Sequence, residues 1–193
     1  MTRSRAVATL FLLAVFGNTL RTNAQQENPQ EPSPIDVYGG YNYVRFNVNA
    51  NVSGVPPTQT FNANGGSGEL GFNANTRIGI VGDLGGYYVS TPPRAGTFSY
   101  LLGPRVNLRR GLLTAFAQTL LGGLLATGGI GQSGAQNHFA MAVGGGIEFN
   151  IAEHVAIRPV QTDYFMTKFP DGLNNRQDNF RFGAGIVFRL GRG

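Results

Sequence analysis

Cysteine and tryptophan are absent from the 193 residues, lysine occurs once, at Lys168, and histidine twice. The lack of cysteine excludes a disulfide framework, a thiolate metal site, a cysteine nucleophile and a lipoprotein anchor. Charged residues are only 13% of the chain, whereas a soluble sandwich covers its outer face with them. The formal charge of +5 comes mostly from the first residues. Beyond residue 24 there remain twelve basic and ten acidic side chains, without the clustered basic face that nucleic-acid binding needs. Glycine, at 29 residues, is about twice its usual share and follows no collagen period.

The chain opens with Arg3 and Arg5 and no acid. An apolar run over residues 6–17 follows, too short to cross a bilayer as a helix, and then the small residues Thr22-Asn23-Ala24. This order predicts a cleaved signal peptide over residues 1–24 rather than a retained amphipathic helix. Residues 25–34, polar and proline-rich, read as a flexible periplasmic lead, and residues 35–193 as one domain.

From residue 35 the apolar period is two, which in a strand separates two faces. Phe139, Met141, Val143, Gly145, Ile147 and Phe149 alternate with Ala140, Ala142, Gly144, Gly146 and Glu148, and residues 77–88, 98–107 and 180–190 behave alike. One face is oily and the other small or charged, which suits a narrow barrel whose oily face meets lipid. Strands are placed at residues 35–47, 62–73, 77–89, 97–107, 112–122, 137–149, 155–169 and 179–190. Short connections (74–76, 108–111, 150–154) alternate with longer ones (48–61, 90–96, 123–136, 170–178), as periplasmic turns and external loops do. The fold class that follows is all-β: a transmembrane antiparallel up-and-down β-barrel of about eight strands, with both mature termini periplasmic. Residues 111–132 carry no charge and are long enough for a transmembrane helix. Their glycines, Gln118 and their place between strand patterns favour a strand with Thr114, Phe116, Gln118 and Leu120 inward and an external loop over 124–136.

Pro159 falls where a ladder should donate, so a bulge is expected at Pro159-Val160, letting Arg158, Gln161 and Asp163 all face inward. The interior would then hold Glu69, Arg77, Asp83, Arg105, Glu148, Arg158, Asp163, Arg181 and Arg189. Charges are tolerated there only when paired, which predicts a salt-bridge plug across a narrow lumen; the alternative is an ion-selective constriction. Aromatic girdles at the membrane boundaries would be formed by Tyr41, Tyr43, Tyr87, Tyr88, Phe98, Tyr100, Phe139, Tyr164 and Phe180 toward the loops, and by Phe72, Phe149 and Phe188 toward the turns. Gly144-Gly145-Gly146 lacks the lysine and the strand-to-helix setting of a phosphate loop. His138 and His154 fall at opposite ends of the barrel, so no metal site or cofactor is expected. His138 with Ser133 is the one pair to weigh for a lipid hydrolase or acyltransferase.

The stretches Asp36-Val37-Tyr38-Gly39-Gly40-Tyr41, Leu101-Leu102-Gly103-Pro104-Arg105, 142–149, 157–164 and 180–190 resemble the OmpA-like outer-membrane β-barrel superfamily, within it the small stand-alone barrels without a peptidoglycan-binding domain. The resemblance implies an eight-stranded barrel in the bacterial outer membrane. It implies contact with outer-membrane lipids and, during biogenesis, with the barrel-assembly machinery. Phe188 and Leu190 are followed by Gly191-Arg192-Gly193, where the family usually ends on an aromatic residue. The expected function is non-enzymatic, an envelope-structural or surface-interaction role with a narrow, salt-bridged lumen. The alternatives are a small-solute or ion porin, a lipid-modifying enzyme, and a soluble lipocalin-like barrel, whose tryptophan motif is missing.

Overall fold

A computed structural model describes residues 33–49, 58–90, 95–127, 135–168 and 176–191. They form eight strands: β1 (Ile35–Asn49), β2 (Thr58–Asn73), β3 (Ile78–Val89), β4 (Ala95–Arg110), β5 (Leu113–Thr127), β6 (Ala135–Ala152), β7 (Val155–Thr167) and β8 (Gln177–Leu190). Each pairs antiparallel with the next, and β8 closes on β1 from Ile35↔Leu190 to Arg45↔Phe180. Closure leaves no unpaired edge, the condition under which strands are stable in lipid. The proposed leader and most of the lead lie outside the described residues.

Every strand sits where the period of two places it, and most run further toward the loop end. β2 begins at Thr58 and β5 continues to Thr127, so the first residues of the expected 124–136 loop are strand, with Leu124 fully buried against the interior. The uncharged segment is therefore a strand as far as Thr127, and the helix reading falls: there is no helix among the described residues. At the turn end β4 and β6 also run three residues further, to Arg110 and Ala152, whereas β3 starts one residue late. Asn75 Oδ1 accepts hydrogen bonds from the backbone N–H groups of Arg77 (2.8 Å) and Ile78 (2.9 Å), an Asx turn that holds Arg77 out of the ladder. Arg77 is exposed and starts no strand, so it is not a member of the interior set. The β4–β5 turn needs only Gly111 and Leu112, and Gly111 adopts φ 53°, a conformation glycine reaches without steric cost.

Burial alternates residue by residue, most cleanly along β3 and β8. The outward set is uncharged over the middle of every strand and leaves large apolar side chains exposed, among them Leu102 (62%), Ile80 (56%) and Phe72 (53%). A water-soluble chain does not display a contiguous apolar surface of this kind. Of the girdle aromatics, all face outward except Tyr87. It is 3% exposed and shares the inward parity of Asp83, because a side chain on β3 cannot change face without a slip in register.

The β7 register shifts at Pro159-Val160. Ile147 pairs with Val160 and Phe149 with Ile157 on one side, while Arg158 pairs with Gly185 and Gln161 with Gly183 on the other. Pro159 and Val160 are consecutive outward residues, and Arg158 and Gln161 both turn inward. Since the bulge already leaves one residue out of the ladder, Pro159→Ala restores no lost bond. Its effect on the urea midpoint of the folded barrel is expected to correspond to less than about 1 kcal/mol.

At the turn end the seam is clasped. The Ser33 hydroxyl lies 2.7 Å from the carbonyl oxygens of both Ile35 and Leu190. Asn73 donates from its backbone N–H to the Pro34 carbonyl and from its side chain to that of Ser33.

Candidate functional site: the barrel interior

A barrel of eight strands is just wide enough for its inward side chains to fill it. Those side chains form two storeys. Toward the loops the filling is mostly apolar: Val44, Phe46, Leu101, Leu120, Leu124 and Phe165 pack with Tyr87, Val89 and small alanines, beside a buried Thr167, Gln177 and Asn179 that bond to one another. Toward the turns it is ionic. Glu69, Asp83, Glu148 and Asp163 face Arg105, Arg158, Arg181 and Arg189, four carboxylates against four guanidinium groups. All eight are at most 4% exposed.

Arg158 is the hub. Its Nη1 donates to Glu69 at 2.7 Å and to the side-chain Oε1 of Gln161 at 2.6 Å, while Nη2 and Nε both reach Glu148, at 2.8 and 3.2 Å. Glu69 also accepts from Arg105 at 2.5 Å, and Arg105 Nε donates to Gln118 at 3.0 Å. Glu148 accepts from Arg189 at 2.8 Å. A second centre is Arg181, which spans the lumen between Asp163 (Nε, 2.9 Å) and Asp83 (Nη1, 2.9 Å) and donates to the Tyr87 hydroxyl at 2.9 Å. Gln161 joins the two centres, donating to Asp163 at 2.9 Å and to Glu69 at 3.3 Å. Planar guanidinium forks with several donors suit such multiple ligation.

The flat faces of the arginines are used as well. The Arg158 guanidinium lies 3.9 Å from the Tyr38 ring centroid and 4.5 Å from that of Phe116, and Arg105 lies 4.4 Å from the Phe116 centroid. These rings lie over glycines: a Cβ at Gly185 would stand 2.7 Å from Tyr38 Cε2, and one at Gly146 would stand 2.9 Å from Phe116 Cζ. Inward glycines therefore make the hollows that let an aromatic ring lie flat under each guanidinium, a favourable placement for a cation.

Of the nine expected interior charges, eight meet in this network and Arg77 does not. Sequence reasoning left out Tyr38, although its strand parity with Asp36 and Gly40 marks it as inward. It placed Leu120, Ala140 and Ala142 inward but did not join them with Val44, Phe46, Leu124 and Phe165 into one apolar storey, whose residues are spread over separate strands. His138, on β6, is half-buried, and Ser133 lies outside the described residues. No group of three or more potential metal ligands occurs among the described residues.

The closed antiparallel barrel with an apolar outer wall and a packed ionic interior defines the class by fold: a small eight-stranded up-and-down β-barrel of the outer-membrane type. No protein-family model matches the chain, and no curated protein matches its sequence. Solved structures do resemble it. Neisserial surface protein A is 13% identical, with 82% of this chain and 98% of that one covered at a TM-score of 0.64. The outer membrane protein OprG from Pseudomonas aeruginosa is 10% identical, covering 82% and 96% at 0.53. The N-terminal β-barrel domain of Pseudomonas aeruginosa OprF is 14% identical, covering 82% and 100% at 0.51. At these identities the likeness is one of fold.

Proposed function

We propose that this chain is an integral protein of the bacterial outer membrane with a sealed lumen, serving envelope structure or surface contact rather than transport or catalysis. The observation that carries the reading is the interior's two-storey filling, a charge-balanced network in series with an apolar layer. An ion following the axis would have to break paired, desolvated charges and then cross a packed, largely apolar layer whose few polar groups, Thr167, Gln177 and Asn179, are hydrogen-bonded to one another. The first residues act as an export signal, the barrel-assembly machinery inserts the strands, and lipids cover the outer wall. The short turns face the periplasm and the long connections face outward.

Two measurements test this. The folded chain is expected to withstand carbonate extraction from membranes and to migrate differently on a gel before and after boiling. In planar bilayers it is expected to give no steady conductance. Extraction by carbonate, or identical migration, overturns the membrane reading; steady conductance altered by Arg105→Gln or Arg158→Gln overturns the sealed lumen.

A further inference from the structure

We propose that the outer wall of β2–β5 seats one lipid molecule of the loop-side leaflet, an acylated, phosphorylated glycolipid whose chain lies in a wall groove and whose phosphate is held by Arg45. This rests on the membrane reading above. Two grooves indent the outward face. The first, of about 590 Å³, runs between Leu70, Leu84, Leu102 and Leu121. The second, of about 550 Å³, continues it along β3 and β4 toward the loops, between Tyr88, Phe98 and Leu125. Both are open to the outside and lined mainly by carbon; in a bilayer, hydrocarbon fills them.

Polarity at one end fixes the direction of the occupant. Asn64 and Thr127 border the second groove at its loop end, and the Tyr41 hydroxyl donates to Asn64 Oδ1. Tyr41 and Tyr88 are 58% and 50% exposed there, presenting ring faces and hydroxyls of the kind that sit at a headgroup level. Above them Arg45 points outward from β1 in register with Asn62. Among the described residues no carboxylate lies within ion-pair distance of it. Tail groove, hydroxyl and amide groups, then an outward guanidinium match an acyl chain, a sugar and a phosphate in that order.

The grooves can be filled without disturbing the barrel. A Cβ at Gly86 would meet nothing within 4 Å, and one at Gly82 only Leu102 Cδ1 at 3.9 Å. The full chain is folded into phosphatidylcholine vesicles with and without diphosphorylated lipid A, extracted in mild detergent, and the retained lipid A is measured. Wild type is expected to retain it selectively, and the Gly82→Leu/Gly86→Leu double variant about tenfold less. Arg45→Gln is expected to reduce wild-type retention to that seen with dephosphorylated lipid A, the discrimination of one charge-assisted contact, about tenfold. Retention no greater than that of phosphatidylcholine, or unchanged in the double variant, overturns the groove. Equal retention of both lipid A forms overturns the Arg45 assignment. A chain that never inserts into plain phosphatidylcholine vesicles overturns the membrane reading itself, whereas one that inserts but retains no lipid A overturns this inference alone.

Discussion

Replacing Arg181 by methionine is expected to lower the stability of the folded barrel by about 3–5 kcal/mol, the cost of removing one member of a buried ion pair while its partners stay charged. Arg181 is fully buried, and among the described residues it is the sole ion-pair partner of both Asp83 and Asp163. Other members of the network have cover: Glu69 keeps Arg105 when Arg158 is lost, and Glu148 keeps Arg189. The measurement is a urea titration in lipid vesicles, read by the gel shift of the unboiled sample. Because the damage lies in the stranded acids, Arg181→Met combined with Asp83→Leu and Asp163→Leu is expected to recover most of the loss, since apolar groups of similar size replace a buried ionic cluster at little cost. A triple variant no more stable than Arg181→Met would show that the loss lies elsewhere than in unpaired charge.

The second large effect is steric. At Gly185 an added Cβ would overlap the Gly39 carbonyl oxygen and stand 2.6 Å from Gly40 Cα, with the Tyr38 ring 2.7 Å away. Two of those neighbours are backbone on the opposite side of the seam, which cannot swing aside as a flexible side chain does. Gly185→Ala is therefore expected to part β1 from β8 locally and to cost about 1–3 kcal/mol. Gly39, on the outward face of the same seam, is the control: nothing lies within 4 Å of a Cβ there, and Gly39→Ala is expected to be neutral or slightly stabilising. Equal urea midpoints for Gly185→Ala and Gly39→Ala would contradict the close approach.

The architecture was legible because alternation was uninterrupted over long stretches, and a period of two leaves little freedom once one face is oily. β6 and β8 show this best: Phe139 to Phe149 places glycine, alanine or charge on every second position, and Phe180 to Leu190 does so except at Val187. The turn ends were harder to read. Counting the β3 alternation back to Arg77 gave it inward parity, but Asn75 takes the backbone N–H groups of Arg77 and Ile78, and a side-chain acceptor has no period. The loop end of β2 ran past its expected limit because it reads Thr58-Gln59-Thr60, consecutive polar residues that give a period of two no contrast. Tyr87 shows two rules in conflict. Its type and place near a strand end suit a girdle, while its parity suits the interior, and parity prevails because the neighbouring pairs fix the face. The charged members of the interior could be listed from sequence, but their partners could not: Arg181 reaches Asp83 across the lumen, not along a ladder.

That cross-lumen reach bears on how the chain acquires its structure. Ladder pairs form between successive strands, but the ionic contacts join residues separated by 36 (Glu69 and Arg105), 89 (Glu69 and Arg158) and 98 (Asp83 and Arg181) positions. Contacts of such separation carry the largest closure entropy and are made late. A sheet that has all its hairpins but has not curled shut would already join Arg158 to Glu148 and Arg181 to Asp163 between neighbouring strands, but would lack the contacts of Glu69 with Arg158 and of Asp83 with Arg181. The half-finished sheet is thereby penalised relative to both the unfolded and the finished chain, so that assembly is cooperative across the whole circumference and a barrel shorn of β8 has no stable stopping point.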